Sequence, residues 1–431
     1  NLLTGLWDAK VDRAPVLALT GQVNTQVFGP GAFQEIDLAS AFEAVSAFSQ
    51  TVLPGSRHAE LMTLALKHAV VERDVAHLIF PDEVQVIAAD EGAQPSSPLG
   101  RLASVDITPS EAALEVAVQK LQDSKRPAII VGYGARESMS EVLALAERLN
   151  TPVITTFKAK GQISDNHPLA AGVLGRSGTP IASWCMNEAD LLVVFGASFS
   201  NHTGITPKKT IIQVDFDQMA LGKFHAVDVP VWGEVGVTAR ALLDRFRTDK
   251  TWLDQREDIA ERWSQWREEK QQRALRESDR GLNSASIFAA FSEVCPDNAV
   301  IVVDVGNNTY SFGRYFECSR QSILMSGYLG SIGFGFPAAM GVQLGLEIPP
   351  PTESHQTRQT RQRRGGNDTA GRVVRAHHGD GAGAGRGHRY GLVDLLDALV
   401  SARAITPGDR LEYRATLRRA GYFFMPLSED E

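Results

Sequence analysis

At 431 residues the chain is too long for a single compact core, and roughly 100 to 200 residues per domain implies about two to four units. With 43% hydrophobic and 22% charged residues and a net charge of -8, the composition is that of an ordinary globular protein. It lacks the basic excess of a nucleic-acid binder, which leaves a small molecule or another protein as the expected partner.

Residues 1 to 90 open with helical spacing in "NLLTGLWDAKVDR" and then alternate. The apolar strand "PVLALTG" (15–21), the periodic "HAELMTLALKHAVVER" (58–73) and the strand "VAHLIFP" (75–81) follow in turn. Strand, helix, strand in that order is the pattern of a parallel α/β unit, and the chain reads as beginning inside it. The polar stretch 91–110, with its prolines and serines, reads as a linker.

Between 111 and 245 the alternation is plainer. "RPAIIVGYGA" (126–135), "SEVLALAERLN" (140–150), "TPVITTF" (151–157), "ADLLVVFGAS" (189–198) and "KTIIQVDFD" (209–217) are short apolar runs and helices ending in Gly, Asp or Ser. That predicts a second doubly wound sheet with ligand-facing loops at its strand ends. "GYGARE" has Gly132 and Gly134 but no third glycine in place, so it is weak support for a nucleotide.

Residues 251–285 carry charges of both signs on a helical repeat, which predicts a solvated connecting helix. From 286 to 348 an α/β unit restarts with a helix, the strand "AVIVVDVG" (299–306) and the glycine-rich "SGYLGSIGFGFPAAMG" (326–341).

Residues 349–390 differ from everything before them. They hold eight arginines, no lysine, four histidines and no Leu, Ile, Met or Phe. Such a segment has too little apolar surface to offset its ordering entropy, and it reads as disordered. Arg-, Gly-, Ala- and His-rich text without lysine is also what a shifted frame in GC-rich DNA yields. Residues 391–431 read as a helical tail.

The cysteines Cys185, Cys295 and Cys318 are far apart and lack metal-ligand spacing, so they are expected to be free thiols. No apolar run approaches the ~20 residues of a membrane span and no signal segment opens the chain, so the expected location is cytoplasmic.

Two stretches are suited to chemistry. In "DVGNNTYSFGRY" (304–315) a buried strand ends at Asp-Val-Gly and meets Asn307 and Asn308, whose amides suit phosphate oxygens. In "GYLGSIGFGFPAAMG", Gly327, Gly330, Gly333 and Gly335 precede a small-residue helix whose start favours an anion. Each stretch is equally open to a plainer reading, as a turn packed against a sheet.

These two stretches together resemble the diphosphate-binding domain of thiamine-diphosphate-dependent enzymes of the acetolactate synthase and pyruvate oxidase group. "NLLTGLWDAKVDRAPVLALTGQ" and "FGPGAFQEIDL" are similar to the pyrimidine-binding domain of that group. "RPAIIVGYGARE", "TPVITTFKAKGQISDNHPLAAGVLGRSG", "NEADLLVVFGASFS" and "IIQVDFDQMALGK" are similar to its central domain. The resemblance implies an α/β protein of successive doubly wound parallel-sheet domains, a thiamine-diphosphate-binding fold plus a central Rossmann-like domain, with the first and last incomplete.

It further implies that Gly306, Asn307 and Asn308 lie beside the diphosphate. Gly330, Ser331 and Gly333 would line the cofactor, Gly330 through its carbonyl, and Ile332 would wedge it into its bent form. Gln34, with Phe33 beside it, would face the reacting centre from a partner subunit, so a homodimer or larger assembly is implied. Arg176 and Asp215 are the positions implied for FAD, which only some members of the group carry.

The sequence also departs from the group. The glutamate that activates the cofactor in the family matches nothing in this chain. The group's Gly-Asp-Gly metal motif has a counterpart in "HHGDGAGAG", where Asp380 would ligate Mg²⁺, but no apolar strand leads into it and no asparagine follows Asn367. The expected activity is decarboxylation and carboligation of 2-keto acids, weak or absent in this chain. The alternative is a non-catalytic module that binds a nucleotide, or mediates association, through the central domain.

Overall fold

The computed structural model describes residues 1–88, 100–104, 106–246, 250–276 and 281–347. The 349–390 segment, the tail, Asp380 and half of the 91–110 stretch therefore lie outside the described residues. The described chain forms two compact units. One comprises Asn1–Asp106 with Ser326–Ser331, and the other comprises Ile107–Met325 with the residues from Ile332 onward.

In the first unit the order is α1 (Leu2–Val11), β1 (Val16–Gln22), α2 (Leu38–Glu43), β2 (Phe48–Thr51), α3 (His58–Glu72), β3 (Val75–Pro81) and α4 (Asp82–Gln85). The three strands form one parallel sheet in the order β1-β3-β2. The middle strand β3 is an unbroken apolar run apart from His77, as expected of a strand buried on both faces.

His77 is accommodated because both ring nitrogens find a hydroxyl. Thr20 on β1 lies 2.9 Å from Nε2 and Ser49 on β2 lies 2.9 Å from Nδ1. Phe42 stacks on the ring at 4.1 Å between centroids. The imidazole thus links all three strands, and burial lowers its pKa from the usual value.

The second unit runs α5 (Glu111–Asp123), β4 (Pro127–Val131), α6 (Met139–Leu149), β5 (Val153–Thr155), β6 (Ala170–Val173), α7 (Pro180–Glu188), β7 (Leu191–Phe195), β8 (Thr210–Asp215), β9 (Val229–Trp232) and α8 (Val235–Arg245). It continues with α9 (Arg256–Ala274), α10 (Ser284–Val294), β10 (Val300–Val303), α11 (Asn307–Tyr315), β11 (Ser322–Met325) and α12 (Gly335–Glu347). Strands β6-β5-β4-β7-β8-β9 make a six-stranded parallel sheet. The reversal of direction at β4 and β7 is the switch point of a doubly wound fold.

At that switch point the glycines of "GYGA" serve packing. A side chain on Gly132 would lie 2.1 Å from the Gly196 carbonyl oxygen, and one on Gly134 would lie 2.9 Å from Gly196 Cα. Gly132 N donates to Phe195 O and Gly134 N to Gly196 O. The two strand ends approach backbone to backbone, which accounts for both glycines without a ligand.

The helix over 256–274 is not the solvated connector its charges suggest. Ile259, Trp263 and Trp266, spaced by four and three residues, are buried in the main core. Trp263 Nε1 donates to Ala170 O at 2.7 Å on β6. The charge pattern hides a narrow stripe of large side chains, and three such residues are enough to seat a helix.

Strands β10 and β11 form a separate two-stranded parallel sheet. Its small core, Val303, Phe312, Phe316, Cys318 and Met325, includes Phe157 from the loop after β5. Cys185 and Cys318 are buried free thiols and Cys295 is partly buried. Among the described residues no helix is long and apolar enough to cross a membrane.

Two outcomes follow. Gly132→Ala should destabilise the second unit by about 1–3 kcal/mol or more through overpacking, whereas Gly55→Ala, where a side chain meets nothing within 4 Å, should leave the melting temperature within error. Scanning calorimetry of both variants tests this, and equal melting temperatures would refute the packing role.

For His77 the folded pKa lies below the unfolded value of about 6.5. The unfolded chain therefore takes up the proton first as pH falls. Stability should be flat above about pH 6.5 and decline below it until the folded pKa is reached. Melts at pH 7.5 and 5.5 should show a smaller drop for His77→Gln than for the native chain.

Candidate functional site

The strand end at Asp304 organises the glycine-rich elements of the second unit. Its Oδ1 accepts from Val305 N at 2.6 Å and from Gly333 N at 2.9 Å. Its main-chain oxygen accepts from the Thr309 hydroxyl at 2.5 Å. A side chain on Gly335 would lie 3.0 Å from Asp304 Cβ. Asp304, through its carboxylate and its main-chain oxygen, thereby joins the end of β10, the first turn of α11 and the segment leading into α12.

Helix α11 begins at Asn307 with Gly306 as its N-cap, at φ +155, and no side chain caps it. A side chain on Gly306 would meet only the movable Asn308 Oδ1, at 2.7 Å, so it is the backbone conformation at this position that favours glycine. Asn307 and Asn308 are exposed. An uncapped helix start with two amide side chains is a receptive place for phosphate oxygens. Of the residues expected at a cofactor, the structure brings together Gly306, Asn307, Asn308 and Gly333 around Asp304. Ile332 precedes Gly333 and is 84% exposed.

Gly330 and Ser331 group with the first unit. There Gly330 N donates to Ser326 Oγ at 3.0 Å, and Ser326 Oγ donates to Asp8 Oδ1 at 2.8 Å. Asp8 is buried on α1, so the turn is tied to that helix by a serine bridge.

Gln34 stands in left-handed backbone at φ +69. Among the described residues its side chain has no hydrogen-bond partner, and Phe33 beside it is 89% exposed. What holds this loop is Glu35, whose carboxylate accepts from Gly29 N at 2.7 Å, Gly31 N at 3.0 Å and Ala32 N at 2.9 Å. The Gly29 and Ala32 N–H groups hold the Glu35 carboxyl below its usual pKa. A strained residue kept in place by its neighbour fits a residue presented for use.

Arg176 is exposed, and its carbonyl accepts from Arg314 Nη2 at 2.7 Å. Asp215 is buried at the end of β8, with Oδ1 accepting from Asp217 N at 2.9 Å. Arg176 and Asp215 are each engaged by their own neighbours. Among the described residues no group of three or more His, Cys, Asp or Glu could hold a metal ion.

Asp304, Glu35, Ser326 and Arg314 were not singled out by sequence. For Asp304 a signal existed, since it ends a parallel strand. Glu35, Ser326 and Arg314 act on main-chain atoms, which sequence spacing does not reveal.

The thiamine pyrophosphate enzyme central domain matches residues 114–242. The C-terminal TPP binding domain of the same enzymes matches residues 304–384, a span that takes in Gly379-Asp380-Gly381. A probable acetolactate synthase large subunit of Methanococcus aeolicus is 32% identical over 80% of the chain and 61% of its own length. An acetolactate synthase of Arthrospira platensis is 30% identical, again over 80% and 61%. The acetolactate synthase isozyme 1 large subunit of Escherichia coli is 29% identical over the same shares. The chain thus spans about three fifths of the length of these relatives.

Asp304→Ala should release Gly333 N and speed amide exchange across 326–341 by about tenfold, the loss of a half-buried charged acceptor being worth roughly 1–2 kcal/mol. Asp304→Asn, which keeps an acceptor, should exchange at close to the native rate. Hydrogen-exchange mass spectrometry reads both, and unchanged exchange in the alanine variant would remove Asp304 from this role.

Proposed function

The chain belongs to the thiamine pyrophosphate enzymes, and from that membership we propose that it binds thiamine diphosphate at the start of α11 and derives from a 2-keto acid decarboxylase and carboligase of acetolactate synthase type. The observation that carries this reading is the uncapped, glycine-led helix start at Gly306 with Asn307 and Asn308 exposed beside it.

Thiamine diphosphate, when bound, supplies the electron sink for breaking the bond between the carboxyl and carbonyl carbons of a 2-keto acid. The chain supplies placement. The first N–H groups of α11 and the two asparagine amides would meet the diphosphate oxygens. Gly333 leaves backbone open beside them, Gly335 packs against Asp304, and Asp304 Oδ1 holds the Gly333 N–H at the strand end. Ile332, being large and exposed, is suited to press on the cofactor's apolar rings.

Among the described residues no group of three or more His, Cys, Asp or Glu lies beside the diphosphate position, and Asp380, the residue proposed for Mg²⁺, lies outside them. We assign no step to a metal, and expect slow or absent turnover by the 431-residue chain. FAD, at Arg176 and Asp215, is proposed only as an accessory. Gln34 and Phe33 would serve a second copy of the chain, a reading supported by their exposure on a strained loop.

Isothermal titration of thiamine diphosphate, with Mg²⁺ present, should show saturable binding that weakens about tenfold in the Asn307→Ala/Asn308→Ala double variant, a factor in keeping with hydrogen bonds to a charged group. Absence of saturable binding, or equal binding by the double variant, would overturn the placement. Rapid pyruvate decarboxylation by the purified chain would show that the expectation of weak turnover is wrong.

A further inference from the structure

The second unit holds a pocket of ≈ 410 Å³ where the end of α9, the start of α10 and the outer half of α11 meet. We propose that it is a binding site for the phosphoryl group of a small molecule, distinct from the start of α11. Arg273, Arg276 and Arg314 line it together with the hydroxyls of Ser284 and Ser311, and among the described residues no carboxylate lines it. Three guanidinium groups around one cavity run against the net charge of -8 of the chain.

Two of the three are held in position before any ligand arrives. Arg273 Nη1 donates to the Tyr315 hydroxyl at 3.1 Å, and its guanidinium lies 5.3 Å from the centre of the Trp266 ring. Its Nη2 donates to Glu269, an exposed neighbour one turn back. Arg314 spends Nε and one Nη2 hydrogen on the carbonyls of Gly178 and Arg176. That leaves part of its five-donor fork for a ligand. Preorganised guanidinium forks match tetrahedral oxyanions better than lysines do.

The hydroxyls add direction. Ser311 Oγ donates to Ser284 Oγ at 3.1 Å, so the Ser284 hydrogen is available to an acceptor. Ser284 opens α10, an eleven-residue helix with no acidic residue in its first turn. Tyr310 offers a partly exposed ring at the rim, a surface on which a planar base can rest. The cavity volume falls at the lower end of the range for small-molecule sites.

The proposal does not rest on cofactor binding, and the test separates the two. Titrations of ADP and of inorganic pyrophosphate into the full chain, with chelator in place of Mg²⁺, should each show saturable binding. Arg276→Glu should weaken both about tenfold or more, with Arg276→Lys restoring part of the loss and thermal melts of both variants matching the native chain.

The Asn307→Ala/Asn308→Ala variant should bind these probes as the native chain does. Tighter binding of ADP than of pyrophosphate, erased by Tyr310→Ala, would identify a nucleotide. Equal binding would identify a bare phosphoryl group. No saturable binding of either probe, equal binding by Arg276→Glu, or loss of binding in the asparagine variant would overturn the site.

Discussion

The second unit depends on one buried carboxylate. Asp165 Oδ2 lies 3.2 Å from Lys160 Nζ and accepts from Cys318 N at 2.7 Å, while Asp165 N donates to Cys318 O at 2.8 Å. Lys160 and Asp165 are both nearly sealed from solvent. Removing one partner of such a pair typically costs about 3–5 kcal/mol, because the other charge is left buried alone. Through this joint the loop after β5 grips the turn before β11, and a two-stranded sheet too small to stand alone leans on a complete six-stranded one.

Close backbone contacts reinforce the joint. A side chain on Gly161 would lie 2.9 Å from Gln321 O, and one on Gly313 would lie 2.6 Å from Phe157 Cε2 and 2.8 Å from Ser177 O. Helix α11 is therefore pressed at Gly313 against the loops that follow β5 and β6, and Arg314 ties it to the 176–178 loop. The helix start at Gly306 and the arginine pocket near its other end share this support. Both are surfaces of one rigidly seated element, which is the condition for placing a ligand accurately.

The strands were legible because burial on both faces demands unbroken apolar runs, and "PAIIV" and "LLVVF" admit no other reading. Helix α9 was misjudged because nineteen residues rich in both charges conceal three that matter, Ile259, Trp263 and Trp266. "GYGARE" illustrates the converse. Its glycines are as conspicuous as those near Gly330, yet they serve the contact with Gly196, and spacing alone does not separate a glycine that admits a ligand from one that admits another strand.

The residues of the candidate site divide the same way. Gly306, Asn307, Asn308 and Gly333 could be read from their position after a parallel strand and before small-residue helices, since local sequence dictates where strands end and helices start. Asp304 offered only its place at a strand end, and Glu35, Ser326 and Arg314 offered no signal, since they act on main-chain groups three to some 140 residues distant. By itself the sequence determined the α/β class, the course of the parallel strands and the family, all of which follow from local periodicity and short motifs. Only the tertiary structure decided which glycines pack and which stay open, and which carboxylates and guanidinium groups hold the frame, because those roles depend on backbone atoms brought close only by folding.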